Sequence, residues 1–225
     1  MSVSLTFLGH SGFLMSDGTT TVAVDPFLTG NPVATMKPEQ VTCQAVVITH
    51  GHGDHIGDSV AIAKRTKATV YASWEFYEWA GPQGVTCEPM NIGGRLALPN
   101  GAGWIAFTQA FHSSSNEGRY FGMPMGAMIH LGGHTIYHTG DTGLFSDMKL
   151  LAEIYKPDVL CIPIGDRFTM GPELATIAVE RFIQPKVTIP IHYNTFPIIE
   201  IDPSKFAPRG TQVVRLKPGE TWRAA

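Results

Sequence analysis

Short apolar runs rich in β-branched and aromatic residues recur along the chain, punctuated by Gly, Pro and Asn. Runs of this length and composition predict strands that are buried on one or both faces. In the first half they predict strands over Ser4–Leu8, Phe13–Met15, Thr20–Asp25, Ala45–Thr49, Thr69–Ala72, Val85–Met90, Arg95–Leu98 and Trp104–Phe111. In the second half they predict Ala127–Leu131, Thr135–Thr139, Val159–Ile164, Lys186–Ile191 and Gln212–Leu216, with Gly132-Gly133 as the turn of a hairpin. Helices are expected after Asp58 through Val60, Ala61, Ile62 and Ala63, after an N-cap at Ser73, near Phe145–Tyr155 before Pro157, and from Pro172 onward. Strands and helices alternate in two comparable halves, the pattern of an α/β domain whose helices cover sheets from outside. With no linker, repeat or low-complexity segment in the way, residues 1–225 read as one domain.

Composition narrows the class. Hydrophobic residues at 44% against 16% charged fit a packed protein and not a disordered one. The net charge of −3 supplies no basic field for a long nucleic acid. Cys43, Cys87 and Cys161 are odd in number and far apart, as expected for reduced thiols. The opening Met1-Ser2-Val3-Ser4-Leu5 lacks the features of a signal peptide, and no apolar stretch approaches membrane-spanning length. A cytoplasmic enzyme acting on a small molecule, with no membrane partner, is the expectation. Trp74 and Trp79 on one predicted helix would suit a homo-oligomer contact or packing on a sheet.

The chemistry concentrates in His50-Gly51-His52-Gly53-Asp54-His55, directly after the run Ala45-Val46-Val47-Ile48-Thr49. Alternate residues of an extended chain point the same way, so His50 and His52 can aim at one point. Gly51 and Gly53 let the backbone turn sharply, bringing Asp54 and His55 in from the other side. An incidental histidine cluster would have neither the flanking strand nor the carboxylate. Four ligand-type side chains exceed what one catalytic zinc with an open position takes, so two metals fit better than one. Further ligands should also lie just past apolar strands, where a rigid scaffold presents chemistry. His112, Asp141 and His192 meet that condition, making five histidines and two aspartates.

These residues, in this order, resemble the metallo-β-lactamase superfamily, and Asp25-Pro26 is similar to its first motif. Gly9-His10-Ser11, His138-Thr139-Gly140-Asp141-Thr142-Gly143, Phe168-Thr169-Met170-Gly171-Pro172-Glu173 and Pro190-Ile191-His192-Tyr193-Asn194-Thr195-Phe196-Pro197 are similar to its small hydrolases of the ascorbate-6-phosphate lactonase-like branch. The resemblance implies a four-layer αβ/βα sandwich with two divalent ions at one edge of the sheets. It further implies that His50, His52 and His112 bind one ion, that Asp54, His55 and His192 bind the other, and that Asp141 bridges them. Asp25 would steady the first motif's loop from behind. Zinc suits the histidine-rich set, and manganese, iron or nickel suit mixed nitrogen and carboxylate ligands. A water bridging two such ions ionises near neutral pH and can attack a carbonyl or phosphoryl centre. The expected reaction is hydrolysis of a small ester, lactone or phosphodiester, with Asp54 orienting the hydroxide. A nuclease of the same superfamily and a non-catalytic metal-binding protein are the alternatives.

Other polar residues have less definite roles. His10 is a second catalytic candidate, facing substrate from the loop after the first strand or merely packed there. Tyr193 and Asn194 follow a ligand and would contact substrate or cap their loop. The polar segment Ser113–Pro124 would form a lid or a surface loop, and Arg119 and Arg167 are available to an anionic group. His130 and His134 flank the hairpin turn and read as structural or exposed, while His138 is left without a role.

Overall fold

The computed structural model describes residues 2–224. Strands β1 (Ser4–Gly9), β2 (Gly12–Ser16), β3 (Thr21–Val24) and β4 (Ala45–Val47) precede helices α1 (Gly53–Ile56) and α2 (Ser59–Thr66). There follow β5 (Thr69–Ser73), α3 (Trp74–Ala80), β6 (Cys87–Met90), β7 (Arg95–Ala97), β8 (Gly103–Gln109) and a small hairpin of β9 (Ser115–Asn116) and β10 (Arg119–Tyr120). The chain continues through β11 (Met125–Leu131), β12 (His134–His138), α4 (Met148–Tyr155), β13 (Val159–Pro163), α5 (Pro172–Ile177), β14 (Val187–Ile191), β15 (Gln212–Val213) and β16 (Thr221–Arg223). No helix among the described residues is long and apolar enough to cross a membrane.

Two seven-stranded sheets result, ordered β16-β1-β2-β3-β4-β5-β6 and β15-β14-β13-β12-β11-β8-β7. Tight turns join antiparallel neighbours such as β1–β2 and β11–β12, whereas longer crossovers join the parallel pairs β4–β5 and β12–β13–β14. Side-chain alternation then sorts residues into layers. Ala45 and Val47 of β4 face inward with Phe13, Val24, Ile105, Phe107, Ile129 and Ile189 to form the core between the sheets. Val46 faces outward, with Val70 and Ala72, against Ile62 of α2 and Phe76 of α3. On the other sheet Met128, Leu160 and Ile162 face outward against Met148 of α4 and Ala175 of α5. Helices thus cover both outer faces, giving the expected four-layer αβ/βα sandwich.

Several element ends differ from expectation for identifiable reasons. The ladder of β4 stops at Val47, two residues short, because Thr49 N–H donates to the Asp25 carboxylate at 2.8 Å instead of to a strand. Likewise β8 stops at Gln109, and Phe111 N–H donates to Thr142 Oγ1 at 2.9 Å. Both departures free a loop to bend toward the site. Ser73 caps α3 as predicted, accepting from Phe76 N–H at 3.1 Å. The segment after α5 continues as a π-helical turn over Ala178–Ile183, which was not foreseen. Nor was β16, which pairs Trp222 opposite Leu5 and protects the edge of the first sheet. Trp79 packs against the outer core of the first sheet, while Trp74 is 52% exposed.

Candidate metal centre

Strand β4 runs parallel to β5, and β12, β13 and β14 run parallel to one another; β4, β12 and β14 end at one edge, so His50, Asp141 and His192 emerge together. His112 arrives there from the end of β8, and His10 from the turn between β1 and β2. Two glycines permit the approach of the first motif. A Cβ on Gly51 would overlap the Phe121 side chain. At Gly57, φ is +45° and a Cβ would stand 2.6 Å from the Pro26 carbonyl oxygen, so α1 can lie directly on the Asp25-Pro26 loop. Asp25, His10 and His192 themselves adopt left-handed φ of 42°, 58° and 52°. Each such non-glycine conformation costs on the order of 1–3 kcal/mol and persists only where the surroundings enforce it. Here His192 N–H donates to the His10 carbonyl at 2.7 Å, tying two of the three together.

The side chains converge as three overlapping groups whose ligand atoms all lie within 4.8 Å of one another: His50, His52 and His112; His10, Asp54, His55 and His192; and His50, His55 and Asp141. Within the first, His52 Nδ1 lies 2.9 Å from His50 Nε2 and 3.2 Å from His112 Nε2. Asp141 sits between the sets. Its Oδ2 is 3.0 Å from His192 Nε2, 3.4 Å from His55 Nε2 and 3.6 Å from His112 Nε2. Buried imidazole nitrogens and carboxylate oxygens normally find partners. Yet His55 Nε2, His192 Nδ1 and Asp141 Oδ1 are buried with no aligned hydrogen-bond partner, and His55 Nε2 faces Asp141 within the cluster. This donor set, nitrogens plus carboxylates with unfilled valence at its centre, fits divalent cations.

Asp25 is buried behind the cluster, as expected. Its Oδ1 accepts from Thr49 N–H, and its Oδ2 accepts from Thr49 Oγ1–H at 2.6 Å and from His55 Nδ1–H at 2.7 Å. That bond fixes the His55 tautomer and turns Nε2 toward Asp141. His10 belongs to the cluster and is not simply packed nearby. Its Nε2 is 3.0 Å from Asp54 Oδ2 and its Nδ1 is 3.0 Å from Thr195 Oγ1. Thr195 carried no signal of its own in the sequence, since a lone threonine in a loop has many ordinary uses.

Burial and charge divide the imidazoles. Burial pushes His50 far below the ordinary histidine value and lowers His52, His112 and His10. Burial also opposes charge on His55, but the Asp141 and Asp25 carboxylates outweigh it and hold His55 well above that value. Against burial, the His10 hydrogen bond and the His55 charge depress Asp54, and His192 and His55 depress Asp141 strongly. His50, His52 and His112 thus favour the neutral form, with the ionised Asp141 between them and a charged His55.

The remaining candidates lie elsewhere. His138 is buried with Nε2 donating to the Ser11 carbonyl at 2.9 Å and Nδ1 accepting from Gly140 N–H, so it shapes the turn that delivers Asp141. His130 stacks on Trp104, and His134 lies 3.9 Å from Asp158, both near the β11–β12 turn remote from Asp141. Tyr193 packs into the outer core under α4 and α5. Asn194 clamps its own loop, its N–H donating to the Ile199 carbonyl and its Oδ1 accepting from Ile201 N–H. Arg119 and Arg167 are exposed and do not line the cavity above the cluster. That cavity, about 350 Å³, is lined by cluster residues with Ser113 and by Phe168, Phe196, Ile198 and Ile199.

Residues 4–192 match the family model described as a beta-lactamase superfamily domain. The chain is 47% identical over 226 residues to a UPF0173 metal-dependent hydrolase of Thermus thermophilus, covering 98% of this chain and 99% of the relative. A UPF0173 metal-dependent hydrolase of Carboxydothermus hydrogenoformans is 46% identical over 225 residues, 97% of this chain and 98% of its own. Among solved structures, Igni18, a metallo hydrolase from the archaeon Ignicoccus hospitalis, superposes with a TM-score of 0.91 at 38% identity, over 100% of this chain and 99% of that one.

Proposed function

From a chain that belongs to the beta-lactamase superfamily and is a metal-dependent hydrolase, we propose a dinuclear enzyme that cleaves a small ester, lactone or phosphodiester in the cytoplasm. The observation that carries this reading is Asp141, whose one carboxylate oxygen faces imidazoles of both sets while the other has no protein partner. In this reading His50, His52 and His112 would hold one cation, Asp54, His55 and His192 would hold the second, and Asp141 would serve both. Two such cations, most simply zinc, supply Lewis acidity and a water acidic enough to ionise near neutral pH. Asp54, 32% exposed to the cavity, positions the attacking water by accepting a hydrogen bond from it. His10 keeps Asp54 turned toward that water, and Thr195 in turn fixes the His10 ring. The absence of Lys and Arg from the cavity lining weighs against the nuclease alternative. The three free thiols agree with a reducing compartment.

Elemental analysis of untagged protein tests the reading, alongside a variant carrying His50→Ala and Asp141→Ala. We expect about two transition-metal equivalents per chain, largely lost in the variant. Little metal even after reconstitution would remove the dinuclear mechanism. With metal present, a screen of lactones, phosphodiesters and carboxylic esters decides among substrate classes.

A further inference from the structure

The cavity lining is of two kinds. Beside the ligand residues it holds an apolar wall of Phe168, Phe196, Ile198 and Ile199, with no Lys or Arg among the described lining residues. Phe168 and Ile198 are 50% and 49% exposed, a large apolar area left in contact with water at the mouth of the site. Isolated exposed apolar residues are ordinary, but a contiguous set facing convergent polar groups in a cavity is the usual make-up of a ligand site.

The wall is built and not incidental. Phe168 projects from a loop in which Asp166 and Arg167 take φ of 59° and 45° and Asp166 N–H donates to the Met170 carbonyl at 3.1 Å. Phe196, Ile198 and Ile199 sit on a loop closed by the two Asn194 bonds and tied to the site through Thr195 and His10. Arg167 places its guanidinium carbon 5.5 Å from the Phe168 ring centroid, but it is exposed and does not line the cavity. An anionic group laid on this wall would lose water without gaining a partner.

We propose that the substrate carries an uncharged apolar group, a short alkyl chain or a single aromatic ring, which rests on Phe168, Phe196, Ile198 and Ile199 while the scissile bond lies over Asp141. The site therefore selects neutral substrates over those bearing an anion on that arm. The position of the scissile bond rests on the hydrolytic reading above; the preference of the wall does not.

The test compares ethyl acetate, ethyl hexanoate, hexyl acetate and monoethyl adipate with metal-loaded full-length protein. Each buried methylene is worth roughly a fourfold gain. We expect kcat/KM for ethyl hexanoate or hexyl acetate to exceed that for ethyl acetate by about tenfold or more, and monoethyl adipate to fall about tenfold below ethyl hexanoate. Ile198→Lys, at a half-exposed position, should reduce the first ratio to below about threefold and raise turnover of the adipate ester. Monoethyl adipate cleaved as fast as ethyl hexanoate by the unaltered protein overturns the proposal, most directly if Arg167→Gln abolishes that activity. A binding measurement separates this outcome from failure of the hydrolytic reading. Hexanamide should shift the δ1-methyl resonances of Ile198 and Ile199, and adipamic acid should shift them less. That pattern without turnover of any ester upholds the apolar wall and counts against hydrolysis alone. Equal or stronger shifts with adipamic acid, or none with either ligand, overturn the proposal.

Discussion

The two sets of ligands are built differently. His55, His10 and His192 are buried, and protein groups hold His55 and His10 from behind: Asp25 for the first, Thr195 for the second. His52 and His112 are only partly buried, and their nearest polar neighbours are each other, His50 and Ser113. His50 alone of that trio is buried and backed, by Thr49 Oγ1 at 3.1 Å. One half of the cluster is therefore preorganised by the fold, whereas the other has less protein backing and, in the proposed dinuclear reading, would depend on a bound cation to order it. Preorganised sites bind more tightly because less freedom is lost on binding. The enclosed set should keep its cation while the open trio exchanges its own.

The largest test of that contrast removes what the halves share. Asp141→Ala should strip both equivalents and bring hydrolysis to background, as elemental analysis and turnover on the same sample would show. A variant that retains one tightly held equivalent would show that the enclosed set is complete without its bridge. Next in size, Asp25→Ala leaves His55 Nδ1 and the Thr49 N–H and hydroxyl without their buried acceptor. Each unpaired group costs about 1–3 kcal/mol, and loss of such backing typically weakens metal affinity about 10–100-fold. Stepwise chelator competition should show the larger loss in the tight step, with a smaller one in the weak step because Thr49 also backs His50. His52→Ala should do the reverse, removing the weak step and changing the stability of the metal-free protein by no more than about 0.5 kcal/mol in urea, as for a partly exposed side chain.

The smallest of these effects is a difference in pH response. In the metal-free protein His55 carries a proton that a cation must displace, because its folded pKa is raised above the ordinary 6.5. Affinity of the enclosed set should keep rising with pH above 6.5, through the raised value. His50, His52 and His112 have lowered values and are already neutral there, so affinity of the open trio should be level from neutral pH upward. The same shift makes stability depend on pH without metal. A raised histidine contributes fully below its unfolded value and loses that contribution as pH climbs through the folded one. Chelated protein should thus lose His55's share of stability on alkalinisation, and metal-loaded protein should not. Identical pH profiles for the two forms would show that His55 is not the displaced group.

How much of this is readable along the chain depends on whether a residue's role is local. His50 to His55 announce themselves because a strand, two glycines and four donors occur together. His112, Asp141 and His192 follow from the rule that chemistry collects past strand ends. The roles of His10 and Thr195 depend on a contact across 185 residues, which no local pattern records. Phe168 and Ile198 were missed for the opposite reason: in sequence an apolar residue signals core, and only the fold leaves these two half exposed over a polar floor. β16 has no apolar run to betray it. Thr221-Trp222-Arg223 is a strand because β1 offers an unpaired edge. The ends of β4 and β8 were overestimated because Asp25 and Thr142 take backbone donors that the ladder would otherwise use.

The ligands are also divided between the sheets. His50, His52, Asp54 and His55 extend from β4 in one, and His112, Asp141 and His192 extend from β8, β12 and β14 in the other. A cation shared among them is a noncovalent rivet through the sandwich, closing the same edge that the active site opens. Its binding energy then adds to the resistance of the fold to unfolding, by about 2.7 kcal/mol at a free metal concentration a hundred times the dissociation constant. The melting temperature becomes a gauge of occupancy, and starvation for metal would silence the enzyme and expose its chain to proteolysis by one and the same event.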